Sequence, residues 1–139
     1  MAPPAQKYAR MPAPGNPAKT EAWALLEAAR LMEAGKTQDK SELLKAVRQN
    51  WRLWTIFQAS LVDAACTVPN EVRRNLLGLA NFIDRHTAQV LGNPDPAKID
   101  VLVMINRRIG EGLLEGQRMA ASKAANASPP VAPRLSESV

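Results

Sequence analysis

The sequence predicts an all-α protein, a small bundle of four to five helices between flexible N- and C-terminal tails rich in proline and alanine. Three observations support this fold class: aromatic residues make up only 4% of the 139 residues, apolar residues recur at helical spacing, and prolines separate the periodic stretches. Few aromatic residues disfavour strands, whereas alanine, leucine and long charged residues favour helix. A chain of this length can close a modest core without disulfides or metals.

Proline and charge divide the chain into three parts. Eight of the eleven prolines lie within residues 3–17 or 129–133, in stretches too poor in large apolar residues to offset the entropy of chain ordering. We therefore expect a flexible N-terminal tail at 1–19, a helical domain at 20–119 and a disordered C-terminal tail at 120–139. The formal net charge is +5, but residues 20–119 carry 13 basic and 12 acidic residues. This balance does not favour a folded nucleic-acid-binding domain, which usually concentrates positive charge on one face.

Capping residues and helix breakers predict four helices within this domain. Their expected ranges are about Thr20 to Ala34, Asp39 to Ala65, Pro69 to Gly92 and Pro96 to Met119. Thr20 is a candidate N-cap of the first helix, which Gly35 should end. Asp39 and Glu42 have a spacing close to that of a capping box. Pro69 and Pro96 suit the first turn of a helix, because a proline there loses no helical hydrogen bond.

The second predicted helix carries an unusually wide apolar surface. Across Trp51, Leu53, Trp54, Ile56 and Phe57 the apolar arc spans roughly 220°, whereas the third and fourth helices each show one narrower stripe. An arc of this width fits a central helix contacted from two sides. It fits equally a helix that has one face in the core and offers another to a partner.

Two amides, Asn50 and Asn106, lie inside the apolar stripes of their helices. A buried amide without hydrogen-bond partners costs about 1–3 kcal/mol. Each amide either has a structural role, in which it fixes helix register or caps a neighbouring chain end, or makes a polar contact to a bound partner. The sequence leaves both interpretations open.

Residues that could carry catalysis are few. With one cysteine, Cys66, and one histidine, His86, the chain cannot form a disulfide or a recurrent zinc-binding pattern. None of the seven glycines belongs to a phosphate-binding loop. We therefore expect a protein that is not an enzyme and uses no metal or other cofactor. Because the apolar runs are short and no signal peptide is visible, we also expect a cytoplasmic protein that does not bind membranes.

Five short motifs occur in a distinctive order and spacing. They are Asn50-Trp51-Arg52-Leu53-Trp54, Val68-Pro69, Ile83-Asp84-Arg85-His86-Thr87, Ile105-Asn106-Arg107-Arg108-Ile109 and Gly112-Leu113. Together they resemble the FlaF family of flagellar biosynthesis regulators of alphaproteobacteria, over roughly Tyr8 to Leu113. Two departures are visible, because a valine stands where leucine is expected before Pro69, and the tail after Gly116 is longer than expected.

The resemblance implies a small helical cytoplasmic factor that is required for flagellin production, acts with the regulator FlbT and binds flagellin before export. The family signature positions that carry over are Asn50, Leu53, Trp54, Arg85, His86, Asn106 and Arg107. From the signature and the apolar arc together, we expect the partner-binding residues to be Asn50, Trp51, Leu53, Trp54, Phe57, Arg85, Asn106 and Arg107.

The leading hypothesis is a non-enzymatic chaperone and regulator of flagellin synthesis and secretion. In this hypothesis the apolar arc around Trp54 forms a groove for amphipathic helices of flagellin. The alternative is an RNA-binding regulator of flagellin messenger RNA translation, which would use the basic N-terminal tail and Arg73, Arg74, Arg107 and Arg108 and would bind in a salt-sensitive way. A structural subunit of the export apparatus is a third class, and it predicts association with membranes.

Overall fold

The computed structural model describes residues 17–127, and the side chains of residues 20–126. Within this range the chain forms four α-helices and no β-strand. The helices are α1 (Pro17–Gly35), α2 (Lys40–Val62), α3 (Asn70–Gly92) and α4 (Pro96–Ala127). The prediction of an all-α fold is confirmed, with four helices in the described range. Residues 1–16 and 128–139, which hold most of the two predicted tails, lie outside the described residues.

Several helix ends follow the local signals in the sequence. The Asp39 carboxylate accepts a hydrogen bond from the backbone N–H of Glu42 at 2.9 Å and so caps α2. The Asp95 carboxylate similarly accepts a hydrogen bond from the backbone N–H of Ala97 at 2.9 Å. These two residues flank Pro96, the first residue of α4. Gly35 and Gly92 are the last residues of α1 and α3, as predicted.

Two predicted helix ends are wrong. The first helix begins at Pro17 rather than Thr20, because a proline is preorganised for the first helical turn. Thr20 is therefore a helical residue and not the N-cap. The second helix ends at Val62 rather than Ala65, since Asp63 leaves the helix and its side chain accepts from the backbone N–H of Ala65 at 2.8 Å.

The predicted end of the fourth helix at Met119 is also wrong. Helix α4 continues to Ala127, which is inside the segment predicted to be a disordered tail. Most residues between Met119 and Ala127 are alanine, and no proline or glycine interrupts them. Alanine has the highest helix propensity, so the helix extends until shortly before the prolines at 129 and 130.

The interface between α1 and α4 is the most extensive one between two helices of the described chain. The two helices run antiparallel. The end of α1 lies near the beginning of α4, where Lys36 pairs with Asp100, while Gly110 packs against the first half of α1. A Cβ atom on Gly110 would stand 2.8 Å from Leu26 Cγ and 3.2 Å from the carbonyl oxygen of Ala22. The absence of a side chain at this glycine therefore allows the close approach of the two helices.

Helix α2 packs between α1 and α3, and its wide apolar arc is largely explained by these two neighbours. The interface between α3 and α4 is the smallest of the four principal helix interfaces. Side chains from all four helices form the core. The largest fully buried apolar side chains are Leu25, Met32, Val47, Trp54, Leu61, Ile83, Val90, Ile99 and Leu102.

Candidate functional site

Three of the residues predicted to form the site meet inside the bundle. Trp54 Nε1 donates a hydrogen bond to Asn106 Oδ1 at 2.9 Å. Asn106 Nδ2 donates to Asn50 Oδ1 at 2.7 Å and to the carbonyl oxygen of Leu25 at 3.1 Å. Both amides are fully buried. This network connects α1, α2 and α4, and because an unpaired buried amide is costly, it fixes the register of the three helices.

The predicted groove around Trp54 is not a surface of the protein. Trp54 is 1% exposed and Phe57 is 3% exposed, and their rings pack edge to face with centroids 5.4 Å apart. The burial of Asn50, Trp54, Phe57 and Asn106 does not fit the prediction that these side chains contact a partner. The other interpretation of the two amides, that they fix helix register, agrees with the structure. Spacing along one helix could not distinguish the two, because the covering residues come from other helices.

The remaining apolar residues of the arc lie at the edge of the core or outside it. Trp51 and Leu53 are half-buried. Trp51 Nε1 donates to Asp84 Oδ1 at 2.9 Å, which links α2 to α3. Ile56 is 63% exposed. In this arc only Ile56 is largely exposed to solvent, while Trp51 and Leu53 are partly exposed.

Three signature residues lie towards the outside of the bundle. Arg85 and Arg107 are exposed, so their predicted role in partner binding is sterically open. His86 is half-buried, stacks on Phe82 with ring centroids 5.2 Å apart and contacts the carbonyl oxygen of Lys98 through Nε2 at 2.8 Å. Because a carbonyl oxygen only accepts, Nε2 is the donor. His86 therefore links α3 to the beginning of α4.

A shallow groove lies between the end of α1 and the first half of α4. It has a volume of about 350 Å³ and is lined by Glu33, Asp100, Val103, Met104, Arg107, Arg108 and Glu111. Its two arginines stand beside three carboxylates, so the lining carries a formal charge of −1. This mixed lining gives no preference for an anionic ligand. It does not favour the RNA-binding role that the sequence allowed for Arg107 and Arg108.

Ion pairs in the described part of the chain involve residues of α1, α4 and the residue that follows α1. They are Glu27–Arg30 at 2.7 Å, Glu33–Lys36 at 3.2 Å, Lys36–Asp100 and Glu115–Arg118 at 3.0 Å. Hydrogen bonds from Lys36 to Asp100 and to Glu33 raise the pKa of Lys36. No residues in the described range form a group that could bind a metal ion.

The sequence did not indicate the structural roles of two polar residues, Thr87 and Asp84. Thr87 is fully buried, and its hydroxyl has no hydrogen-bond partner among the described residues; the same is true of Nδ2 of Asn50, which the sequence did single out. Asp84 is half-buried and accepts the hydrogen bond from Trp51. Thr87 could have been found, because it lies four residues after Ile83 in the apolar stripe of α3. The role of Asp84 depends on a residue 33 positions earlier, so local periodicity carries no signal for it.

Comparison with known families decides the affiliation of this chain. A family model described as flagellar protein FlaF matches residues 4–113. The chain belongs to the FlaF family. This confirms the resemblance of the five motifs and indicates a role in flagellum biogenesis. FlaF proteins are not a known enzyme family.

The FlaF match ends inside α4, fourteen residues before the helix does. Residues 118–126 of this extension are all exposed. No curated protein and no solved structure matches the chain. Among the four described helices, none combines the length and apolar character that a membrane-spanning segment needs.

Proposed function

We propose that this FlaF protein is a non-enzymatic chaperone and regulator that binds flagellin before export and acts in its synthesis and secretion. Membership in the FlaF family supports a role in flagellum biogenesis. The resemblance of the motifs implies that flagellin is the partner. The same resemblance makes FlbT the second partner that we propose. Because flagellin would be bound before export, the cytoplasm is the proposed place of action.

The observation that carries this proposal is the exposure of large apolar side chains, above all Ile56 on α2. Within residues 20–126 the exposed large apolar side chains are Ile56 and Val62 on α2, Val72 and Phe82 on α3, and Met104 and Met119 on α4. Single exposed apolar residues are ordinary on protein surfaces. Ile56, which lies opposite the core-facing side of α2, offers an exposed contact for the apolar stripe of an amphipathic helix.

The proposed binding surface differs from the groove that the sequence predicted. Because Trp54 and Phe57 belong to the core, flagellin would contact the outward side of α2 and α3, with Ile56 as the apolar contact. Trp51, Leu53 and Arg85 remain candidate contact residues. The buried amides would then act indirectly, by holding α2 in its position.

Isothermal titration calorimetry with monomeric flagellin tests the proposal. We expect Ile56→Ser to weaken the complex by about tenfold, which corresponds to roughly 1.4 kcal/mol and is less than the transfer free energy of a fully buried isoleucine. Met119→Ser is the matched control, because Met119 and Ile56 are both 63% exposed but Met119 lies on the extension of α4. If wild-type protein forms no complex with flagellin at tens of micromolar, the proposal is wrong.

A further inference from the structure

Three basic residues repeat along the outward face of α2. Lys45, Arg48 and Arg52 follow one another at i, i+3 and i+7, which places them in one stripe of the helix. All three are exposed. They lie roughly opposite Asn50 and Trp54, the residues with which α2 faces the core.

No ion pair within residues 20–126 involves these three side chains. No acidic residue occurs on α2 between Glu42 and its end at Val62. Three other cations do have an ion-pair partner, a carboxylate three residues earlier, in Glu27–Arg30, Glu33–Lys36 and Glu115–Arg118. The outward face of α2 therefore carries positive charge that no ion pair within residues 20–126 neutralises.

Helix α3 extends this positive surface. The hydrogen bond from Trp51 to Asp84 holds the Asp84 carboxylate at the seam between α2 and α3, where it is half-buried. The next residue, Arg85, lies about 100° further round the helix and is exposed without an ion pair in the described range. We call Lys45, Arg48, Arg52 and Arg85 the cationic face.

An exposed apolar residue adjoins the cationic face. Ile56 lies one helical turn after Arg52 on α2 and is 63% exposed, and Ala59 in the following turn is also exposed. The outward side of α2 thus changes from cationic to apolar along its length. A partner that complements it needs carboxylates and an apolar stripe on the same element.

We infer that the cationic face is a docking site for an acidic amphipathic helix, with Ile56 as its apolar contact. This inference rests on the proposed function and specifies the chemistry of the flagellin segment that would bind. Four cations that form no ion pair with the described residues attract a helix that carries carboxylates at one-turn spacing. They also disfavour basic segments, so the face supplies specificity as well as attraction.

The same observations favour a polypeptide over RNA. Single-stranded RNA is usually bound by aromatic rings that stack on its bases as well as by cations. On the outward side of α2 the exposed neighbours of the cations are Ile56 and Ala59 instead. Trp51, the aromatic ring nearest to them in sequence, is half-buried and its N–H is already bound to Asp84.

Charge reversal tests the inference. The double variant Arg48→Glu/Arg52→Glu should bind monomeric flagellin at least tenfold more weakly than the wild type at low salt. Wild-type affinity should fall as salt rises, because exposed charges are screened, and the variant should lose most of this salt dependence. The matched control is Arg118→Glu/Lys123→Glu, which makes the same charge change on the exposed extension of α4 and should bind like the wild type. Circular dichroism should show that both variants are folded, with a slightly lower melting temperature for the control because it removes the Glu115–Arg118 ion pair.

The outcomes separate this inference from the proposed function. If wild-type protein binds flagellin and the Arg48/Arg52 variant binds equally well, the docking site is wrong and the proposed function stands. If wild-type protein binds no flagellin, the proposed function fails and the docking site with it. If the cationic face instead binds flagellin leader RNA in a gel shift, and the double variant abolishes that binding, the face is a nucleic-acid site and the inference is wrong.

Discussion

At Asn106 a single side chain sets the packing of three helices. Its amide accepts from Trp54 on α2 and donates to Asn50 on α2 and to the Leu25 carbonyl on α1. An aliphatic residue at this position would pack without directional demands, and the helices could slide past one another. The amide favours this register, because another would leave the three hydrogen bonds of Asn106 unmade.

The burial of Trp54 leads to a first prediction. Trp54→Ala should lower the free energy of unfolding by about 3–5 kcal/mol, because it removes a core indole and leaves a cavity beside Asn106. Urea denaturation followed by circular dichroism measures the change. Ile56→Ala is the control two residues away, where a largely exposed side chain should change stability by less than about 0.5 kcal/mol. Equal stabilities of the two variants would place the indole outside the core.

The unpaired hydroxyl of Thr87 leads to a second prediction. Valine has the shape of threonine but no hydroxyl, so Thr87→Val should raise the free energy of unfolding by about 1 kcal/mol. Thr55→Val is the control, since Thr55 is exposed and its hydroxyl donates to the Trp51 carbonyl at 3.0 Å. We expect no gain there. A loss of stability in Thr87→Val would mean that the hydroxyl has a partner such as a buried water.

At the scale of elements, the α1–α4 pair is the most closely packed part of the bundle. The approach of α4 to α1 at Gly110 leaves no room for a side chain. Gly112 and Gly116, on the same helix, have open space where a Cβ would lie. The three glycines therefore differ in their surroundings, although they lie within two turns of one helix.

This difference leads to a prediction on helix packing. Gly110→Ala should lower the free energy of unfolding by about 1–3 kcal/mol, because the new methyl group overpacks the contact with Leu26 and Ala22. Gly112→Ala should raise it by about 0.5–1 kcal/mol, since alanine is the better helix former and nothing obstructs its Cβ. Thermal or urea unfolding of the pair gives both values. Stabilisation in both variants would show that α1 and α4 are not in close contact at Gly110.

At the scale of the whole molecule, the ion pairs and the cationic face lie on different helices. The ion pairs lie on α1, α4 and the residue following α1, where they neutralise neighbouring charges. The cationic face on α2 and α3, with the exposed Ile56 beside it, has no ion pair within residues 20–126. Because surface ion pairs contribute little to stability, we interpret this distribution of charge as a difference in function between the two helix pairs. Helices α1 and α4 form the closely packed support, while α2 and α3 present the proposed binding surface.

The pH dependence of global stability provides a further prediction. Burial raises the pKa of Glu21, and a hydrogen bond with Ser60 opposes this in part. A raised folded-state pKa stabilises the fold below the ordinary pKa of glutamate, and this contribution is lost as the pH rises through the raised value. At neutral pH the ionised carboxylate is therefore less favourable in the folded chain than in the unfolded chain.

Glu21→Gln should accordingly raise the free energy of unfolding at neutral pH. The gain should stay below about 1 kcal/mol, because the side chain keeps partial access to solvent. Urea unfolding at neutral and at mildly acidic pH measures it, and the gain should shrink at the lower pH. Glu111→Gln, at an exposed position, is the control and should leave stability at neutral pH unchanged. A destabilised Glu21→Gln would indicate that the hydrogen bond with Ser60 outweighs the burial.

Most of the secondary structure and the family followed from the sequence alone. Helix type, the cap at Asp39 and the ends at Gly35 and Gly92 depend on residues within one or two turns, so local sequence is sufficient to predict them. The same periodicity singled out Asn50, Trp54 and Asn106 as exceptional positions. The end of α4 has a local cause as well, because the helix propensity of the alanines after Met119 outweighs the low content of large apolar residues there.

Only the tertiary structure determines which residues of the apolar arc on α2 are buried and which are exposed. Asn106, which covers Trp54, lies 52 residues further along the chain, and Asp84, which binds Trp51, lies 33 residues further. Burial depends on which distant helices meet, and one helix's spacing contains no information about its neighbours. The same holds for charge, because the stripe of Lys45, Arg48 and Arg52 is evident in the sequence but its lack of partners is a property of the whole surface.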